Sequence, residues 1–152
     1  MKEKLIDLGA KPDKTIVIPC GVNVSKFKPS SDEKNLKTFI AVGRFTEKKG
    51  PIHTINAFYR VLNKHNDAKL IMVGGKSDLF FDCEKLVSEL KMDKSVKFTG
   101  ILNSNEVANL MKSSLAFVQH SITASNGDME GTPVGILEAS ASELPVVSTL
   151  HG

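Results

Sequence analysis

Two clusters of residues in this sequence have the types and spacing to grip a ligand that is both anionic and rich in hydroxyls. The first is Gly43-Arg44, followed after four intervening residues by Lys49-Gly50. A diphosphate needs fixed positive charge. The planar fork of an arginine grips two phosphate oxygens, and a lysine adds a compact second charge. Glycines beside them let backbone come close to the ligand. Taken alone, the same residues equally describe a solvated lysine-rich turn closed by a glycine.

The second cluster is Glu130-Gly131-Thr132-Pro133-Val134, with Glu138 four residues further on. Pro133 suits a helix start, and the first turn of a helix leaves N–H groups free to bind oxygen atoms. A carboxylate can accept two hydrogen bonds from a vicinal diol. The competing reading makes Glu130 a helix-dipole partner and Glu138 a solvated helix residue. The apolar and small neighbours of Glu138, namely Ile136, Leu137, Ala139 and Ala141, favour an enclosed carboxylate instead.

Other constellations fail on inspection. Gly75-Lys76-Ser77 imitates the end of a P-loop, but Leu70 stands where that motif needs its first glycine. Asn126, Asp128, Glu130 and Gly131 imitate a calcium loop, yet Leu137 stands where its bidentate glutamate belongs. His53, His65, His120 and His151 are dispersed, and none has a His or Cys at metal-ligand spacing. No strand is followed by Gly-x-Gly-x-x-Gly, and no Gly-x-Ser-x-Gly elbow supports a serine hydrolase.

The elements that must hold the two clusters are legible as an alternation. Short apolar runs at 38–43, 69–74, 96–100, 115–120 and 145–148 predict strands. Between them lie predicted helices at 51–65, 82–91, 103–112 and 133–143. In the first, Ile55, Phe58, Tyr59 and Leu62 recur at helical spacing. In the second, Leu86, Val87 and Leu90 share a face, and Asn103 with Glu106 reads as a capping box opening the third. Continuous apolar strands separated by helices imply a doubly wound parallel sheet of Rossmann type. Ligands of such sheets sit beyond the carboxyl ends of the strands, where both clusters fall. Thr15 to Gly21 is a further strand candidate, and Ser25 to Lys37 a polar lead-in or edge hairpin.

Bulk properties agree with one soluble α/β domain. The chain has 152 residues, 41% hydrophobic and 24% charged, with a formal net charge of +3. Its basic residues are scattered, which argues against nucleic acid as a partner. Cys20 and Cys83 lie far apart and read as free thiols of a reducing compartment. No apolar stretch is long enough to span a bilayer, and the first residues lack a signal-peptide pattern.

With Gly-Arg-x4-Lys-Gly after a strand and Glu-Gly-x-Pro-x4-Glu-Ala before Leu144-Pro145-Val146-Val147-Ser148-Thr149, the chain resembles the donor-binding domain of family-4 retaining glycosyltransferases of GT-B fold. The stretch His120 to Asp128 resembles a subgroup found in bacterial exopolysaccharide and lipopolysaccharide synthesis. The likeness covers nearly the whole chain from Thr15. It implies residues 1–37 as linker and 38–152 as a donor-binding domain shortened at its end, with the acceptor domain absent and the piece inactive alone. It implies that Arg44 and Lys49 hold a diphosphate and, with Glu130, act in catalysis. Glu138 would bind ribose, Glu130 the transferred sugar, and Gly43 and Gly131 to Val134 would complete the donor site. A UDP- or GDP-sugar would be the donor, with no metal or other cofactor. The acceptor would be a saccharide or lipid-linked saccharide bound by the missing domain, and the whole protein would be cytoplasmic, with room for peripheral association at the inner membrane face. Two alternatives of different kind are a nucleotide-sugar epimerase of the same fold and a non-catalytic nucleotide-sugar binding module; an interaction domain without small ligand is a third. The Gly74-Gly75-Lys76-Ser77 loop departs from the family's Gly-x-Gly-Pro.

Overall fold

The structure, a computed structural model, describes residues 2–29 and 36–150. Part of the polar lead-in, residues 30–35, and His151 lie outside the described residues. The described residues form one five-stranded sheet in the order β3-β2-β1-β4-β5. Its strands are β1 (Thr38–Val42), β2 (Lys69–Val73), β3 (Val96–Gly100), β4 (Ala116–Gln119) and β5 (Val146–Ser148), and every pairing is parallel. The helices are α1 (Lys2–Asp7), α2 (Pro51–Leu62), α3 (Phe80–Glu89), α4 (Ser104–Ser113) and α5 (Val134–Ala141). The Rossmann-like fold expected from the alternation is the fold observed.

Both faces of the sheet are covered, which is why its strands read as continuous apolar runs. On one face Leu70 and Met72 of β2 pack with Ile55 and Phe58 of α2 and Cys83 and Val87 of α3. On the other, Ile40 and Phe117 pack with Val107, Ala108 and Met111 of α4 and Ala139 of α5. Ile40, Leu70 and Phe117 are wholly excluded from solvent, each contributing about 1.5–3 kcal/mol by burial. Helices that cross to the left of β1 thus lie on one face, and those that cross to the right on the other. The switch point falls between β1 and β4, which is where a doubly wound sheet opens a crevice.

Local chemistry sets the helix ends. Asn103 accepts from the amides of Asn105 and Glu106 while Glu106 accepts from the amide of Asn103, so the expected capping box is present. Both α3 and α5 end in a Schellman turn with a non-glycine residue, Lys91 or Glu143, in the left-handed region. In α5 the amide of Leu144 returns to the carbonyl of Ala139, which stops the helix at Ala141 rather than Glu143.

Two expectations are corrected. Tyr59 does not face the core: α2 presents Ile55 and Phe58 inward while Tyr59 is 38% exposed. Thr15 to Gly21 does not join the sheet either. No strand pairs with it among the described residues, and Ile16, Val17 and Ile18 are exposed. Its apolar, β-branched composition satisfies strand propensity, but a strand forms only where a neighbour completes its ladder. The segment is tied down further on by Phe27, which is buried against the α4–α5 face. No described helix is long and apolar enough to cross a membrane.

Candidate functional site

The loops leaving β1 and β4, the strands on either side of the switch point, carry the two clusters. After β1, Gly43 ends the strand and residues 47–49 make one 3-10 turn. Gly50 closes that turn in the left-handed region (φ 55°) and opens α2 in the same position. A side chain at Gly50 would bring its Cβ 1.8 Å from the carbonyl oxygen of His120. This close approach presses the basic loop against the loop that leaves β4. The backbone then zips them together: the amide of Ile122 donates to the carbonyl of Lys48 at 3.0 Å.

Side chains complete the junction. Lys49 Nζ donates to Glu130 Oε2 at 2.7 Å, and its aliphatic stem lies 3.4 Å from where a Cβ on Gly43 would be. The glycine therefore leaves a groove in which the lysine lies flat. Glu130 is 8% exposed, so it lies where a charged partner offsets the cost of leaving water. Lys48 Nζ sits 2.9 and 3.1 Å from the two carboxylate oxygens of Asp128 and 3.8 Å from Glu130 Oε1. Ser125 Oγ donates to Glu47 at 2.7 Å. Hydrogen bonds from Lys48 hold the Asp128 carboxyl below the usual range, with Arg44 adding a smaller electrostatic pull. The hydroxyl and amide of Ser125 do the same to Glu47.

Arg44 itself is exposed on the same edge. The structure thus brings Gly43, Lys49 and Glu130 into contact, with Arg44 on the same loop as Gly43 and Lys49. Gly131 and Thr132 are exposed, and they lead to Pro133, the N-cap of α5, which supplies no side-chain cap. The amide of Ile136 turns to the carbonyl of Pro133 at 3.0 Å, which leaves those of Val134 and Gly135 without a side-chain cap. Val134 is the first residue of α5 and Glu138 the fifth. Gly135 fits because a Cβ there would lie 3.0 Å from the ring of Phe117, so the helix start sits hard against β4.

Glu138 is half-buried, and burial pushes its carboxyl above the usual range, opposed only by the charge of Lys26. No hydrogen bond ties it to Lys49 or Arg44. Its partial burial on α5, near Lys26, is what its apolar and small neighbours anticipate.

The structure adds a further pairing that spacing could not show. The rings of His53, in the first turn of α2, and His120, after β4, lie 4.6 Å apart. Burial first, and then His53, lower the affinity of His120 for a proton. The signal in sequence would have been topological: both positions follow directly from the loops that meet at Gly50. The imitation of a calcium loop is also explained, since Asp128 and Glu130 are each paired with lysine. Among the described residues no three His, Cys, Asp or Glu side chains cluster as metal ligands. Cys20 is exposed and Cys83 buried, both as free thiols, and burial pushes the Cys83 thiol up to about 12.

Comparison with known proteins shows the family and the fold. The family described as Glycosyl transferases group 1 matches residues 23–152. An amylovoran biosynthesis glycosyltransferase from Erwinia amylovora is 31% identical over 159 residues, covering 99% of this chain and 37% of that protein. The chain therefore spans little more than a third of that relative's length. Among solved structures, the C-terminal domain of a glycosyl transferase group 1 family protein from Francisella tularensis superposes with a TM-score of 0.71 at 25% identity, covering 84% of this chain and 70% of that one. An Anabaena protein crystallised with UDP and glucose superposes with a TM-score of 0.77 at 21% identity, covering 97% of this chain and 41% of that one. With its parallel sheet, its paired basic and acidic loops at the switch point and a family match over most of its length, this chain belongs to the group 1 glycosyltransferases and carries a domain of their GT-B fold.

Proposed function

We propose that the chain binds a nucleotide-diphosphate sugar and forms the donor half of an enzyme that transfers the sugar with retention at the anomeric carbon. The observation that carries this reading is the Lys49–Glu130 pair beside Gly43 and Arg44, at the mouth of the sheet and next to an uncapped helix start. A cation and an acceptor poised side by side match a ligand whose phosphates meet one and whose hydroxyls meet the other.

In this reading Arg44 and Lys49 grip the diphosphate and stabilise the charge that grows on it as the glycosidic bond breaks. Glu130 accepts from hydroxyls of the transferred sugar, and the amides of residues 131–134 complete that grip. Glu138 accepts from ribose hydroxyls. The two side-chain cations supply the charge that a divalent metal supplies elsewhere, so no cofactor is needed. The amylovoran relative and the Anabaena neighbour crystallised with UDP and glucose support a hexosyl transfer in surface polysaccharide synthesis. The acceptor, a saccharide or lipid-linked saccharide, would be held by a partner domain outside this chain, with residues 38–152 as the donor domain and 1–37 leading into it. Free thiols fit a reducing, cytoplasmic setting.

The test is titration calorimetry of the chain with UDP, GDP and their sugar conjugates in chelator. Binding to one nucleotide class that added magnesium leaves unchanged supports the reading; no binding to any of them opposes it.

A further inference from the structure

Lys49 cannot serve Glu130 and a diphosphate equally well at one time. When its ammonium turns to phosphate, its 2.7 Å contact with the enclosed Glu130 opens. One other ammonium is already in place. Lys48 Nζ lies 3.8 Å from Glu130 Oε1, on the oxygen Lys49 does not use, and is held there by both oxygens of Asp128. Its side chain is only 18% exposed, so the charge acts with limited screening by water.

We propose that Lys48 is a positioning residue: anchored by Asp128, it holds the 124–130 loop and keeps Glu130 aimed at the sugar once Lys49 has moved to the diphosphate. The inference rests on the donor-site reading above. It goes beyond it by giving the second lysine, and the Asn126-Gly127-Asp128 turn, a part in sugar recognition. That turn is built to present Asp128. The amide of Ala124 donates to the carbonyl of Asp128, that of Gly127 to Ala124, and that of Asp128 to the side chain of Asn126. Gly127 takes the left-handed conformation (φ 82°) that closes it. Arg44 and Glu47 are the other charges at the junction. Glu47 is occupied by Ser125, and Arg44 is exposed, which leaves Lys48 as the enclosed cation between the two carboxylates.

The experiment compares the unmodified chain with Lys48→Met, Lys48→Arg and Asp128→Asn in two measurements. The first is hydrogen exchange without ligand, read at the amides of Ala124, Gly127 and Asp128. Lys48→Met is expected to exchange about tenfold faster there, by loss of a charge-assisted bond, and Lys48→Arg close to the unmodified rate. The second is calorimetry with UDP against UDP-glucose and GDP against GDP-mannose. Lys48→Met is expected to keep its affinity for the free diphosphate and to lose about tenfold of the additional affinity conferred by the sugar; Lys48→Arg restores it. A merely structural lysine would weaken both ligands alike, and that outcome overturns the proposal, as does a Lys48→Met chain with unaltered exchange. Should Lys48→Met fail to fold, Asp128→Asn carries the comparison, with the same direction expected because the ammonium loses its anchor. If the unmodified chain binds no nucleotide, the donor-site reading fails, and the exchange rates alone decide whether Lys48 holds the loop.

Discussion

Lys49 and Glu130, 81 residues apart in sequence, meet at 2.7 Å across the loops that leave β1 and β4. The pair joins the residue expected to hold phosphate to the residue expected to hold sugar. Each would then have to release the other as a donor enters, so the ion pair holds both groups in register within reach of their later partners. Gly43 beneath the lysine stem and Gly50 against His120 are the backbone conditions for that meeting.

Gly50 is the position where a small change should do most harm. An alanine there would meet the His120 carbonyl in a left-handed conformation that alanine disfavours. Gly50→Ala is expected to destabilise the chain by about 3 kcal/mol. A thermal melt showing no loss would contradict the close approach.

Protonation of His120 should destabilise the fold. Its folded-state affinity for a proton is lowered, so the unfolded chain binds more protons as pH falls through the ordinary histidine range. The contribution is complete above that range and is lost on acidification below it. His120→Gln is expected to melt with a shallower dependence on pH between about 7.5 and 5 than the unmodified chain. Equal slopes would show that His120 does not titrate differently on folding.

The sheet and its order of helices were legible because buried parallel strands leave continuous apolar runs and the capping box at Asn103 and Glu106 is a local signal. The basic loop and the α5 start were legible as residue types, and the switch point told where they would lie. What could not be read was pairing. Lys48 with Asp128 and His53 with His120 depend on where loops cross in space, which no spacing encodes. Thr15 to Gly21 shows the opposite failure: strand-like composition in a place where no strand among the described residues completes it.

Glu138 predicts a pH dependence of binding. Burial raises its carboxyl above the usual range, and the ionised form is the better acceptor for ribose hydroxyls. Nucleotide affinity is therefore expected to fall as pH is lowered through that raised value, beginning at a higher pH than an ordinary glutamate would allow. Glu138→Gln should bind more weakly at neutral pH and lose this part of the dependence. An unchanged profile in the variant would remove Glu138 from the site.

The measurement that bears most directly on the donor site is metal-free titration calorimetry with UDP, GDP and their sugar conjugates, run beside Arg44→Ala and Glu138→Ala. The account predicts binding to one nucleotide class, weakened about tenfold or more by either substitution, since each removes a charged contact, while the fold, followed by circular dichroism, is retained. Binding that neither substitution affects, or no binding to any of these ligands, would contradict it.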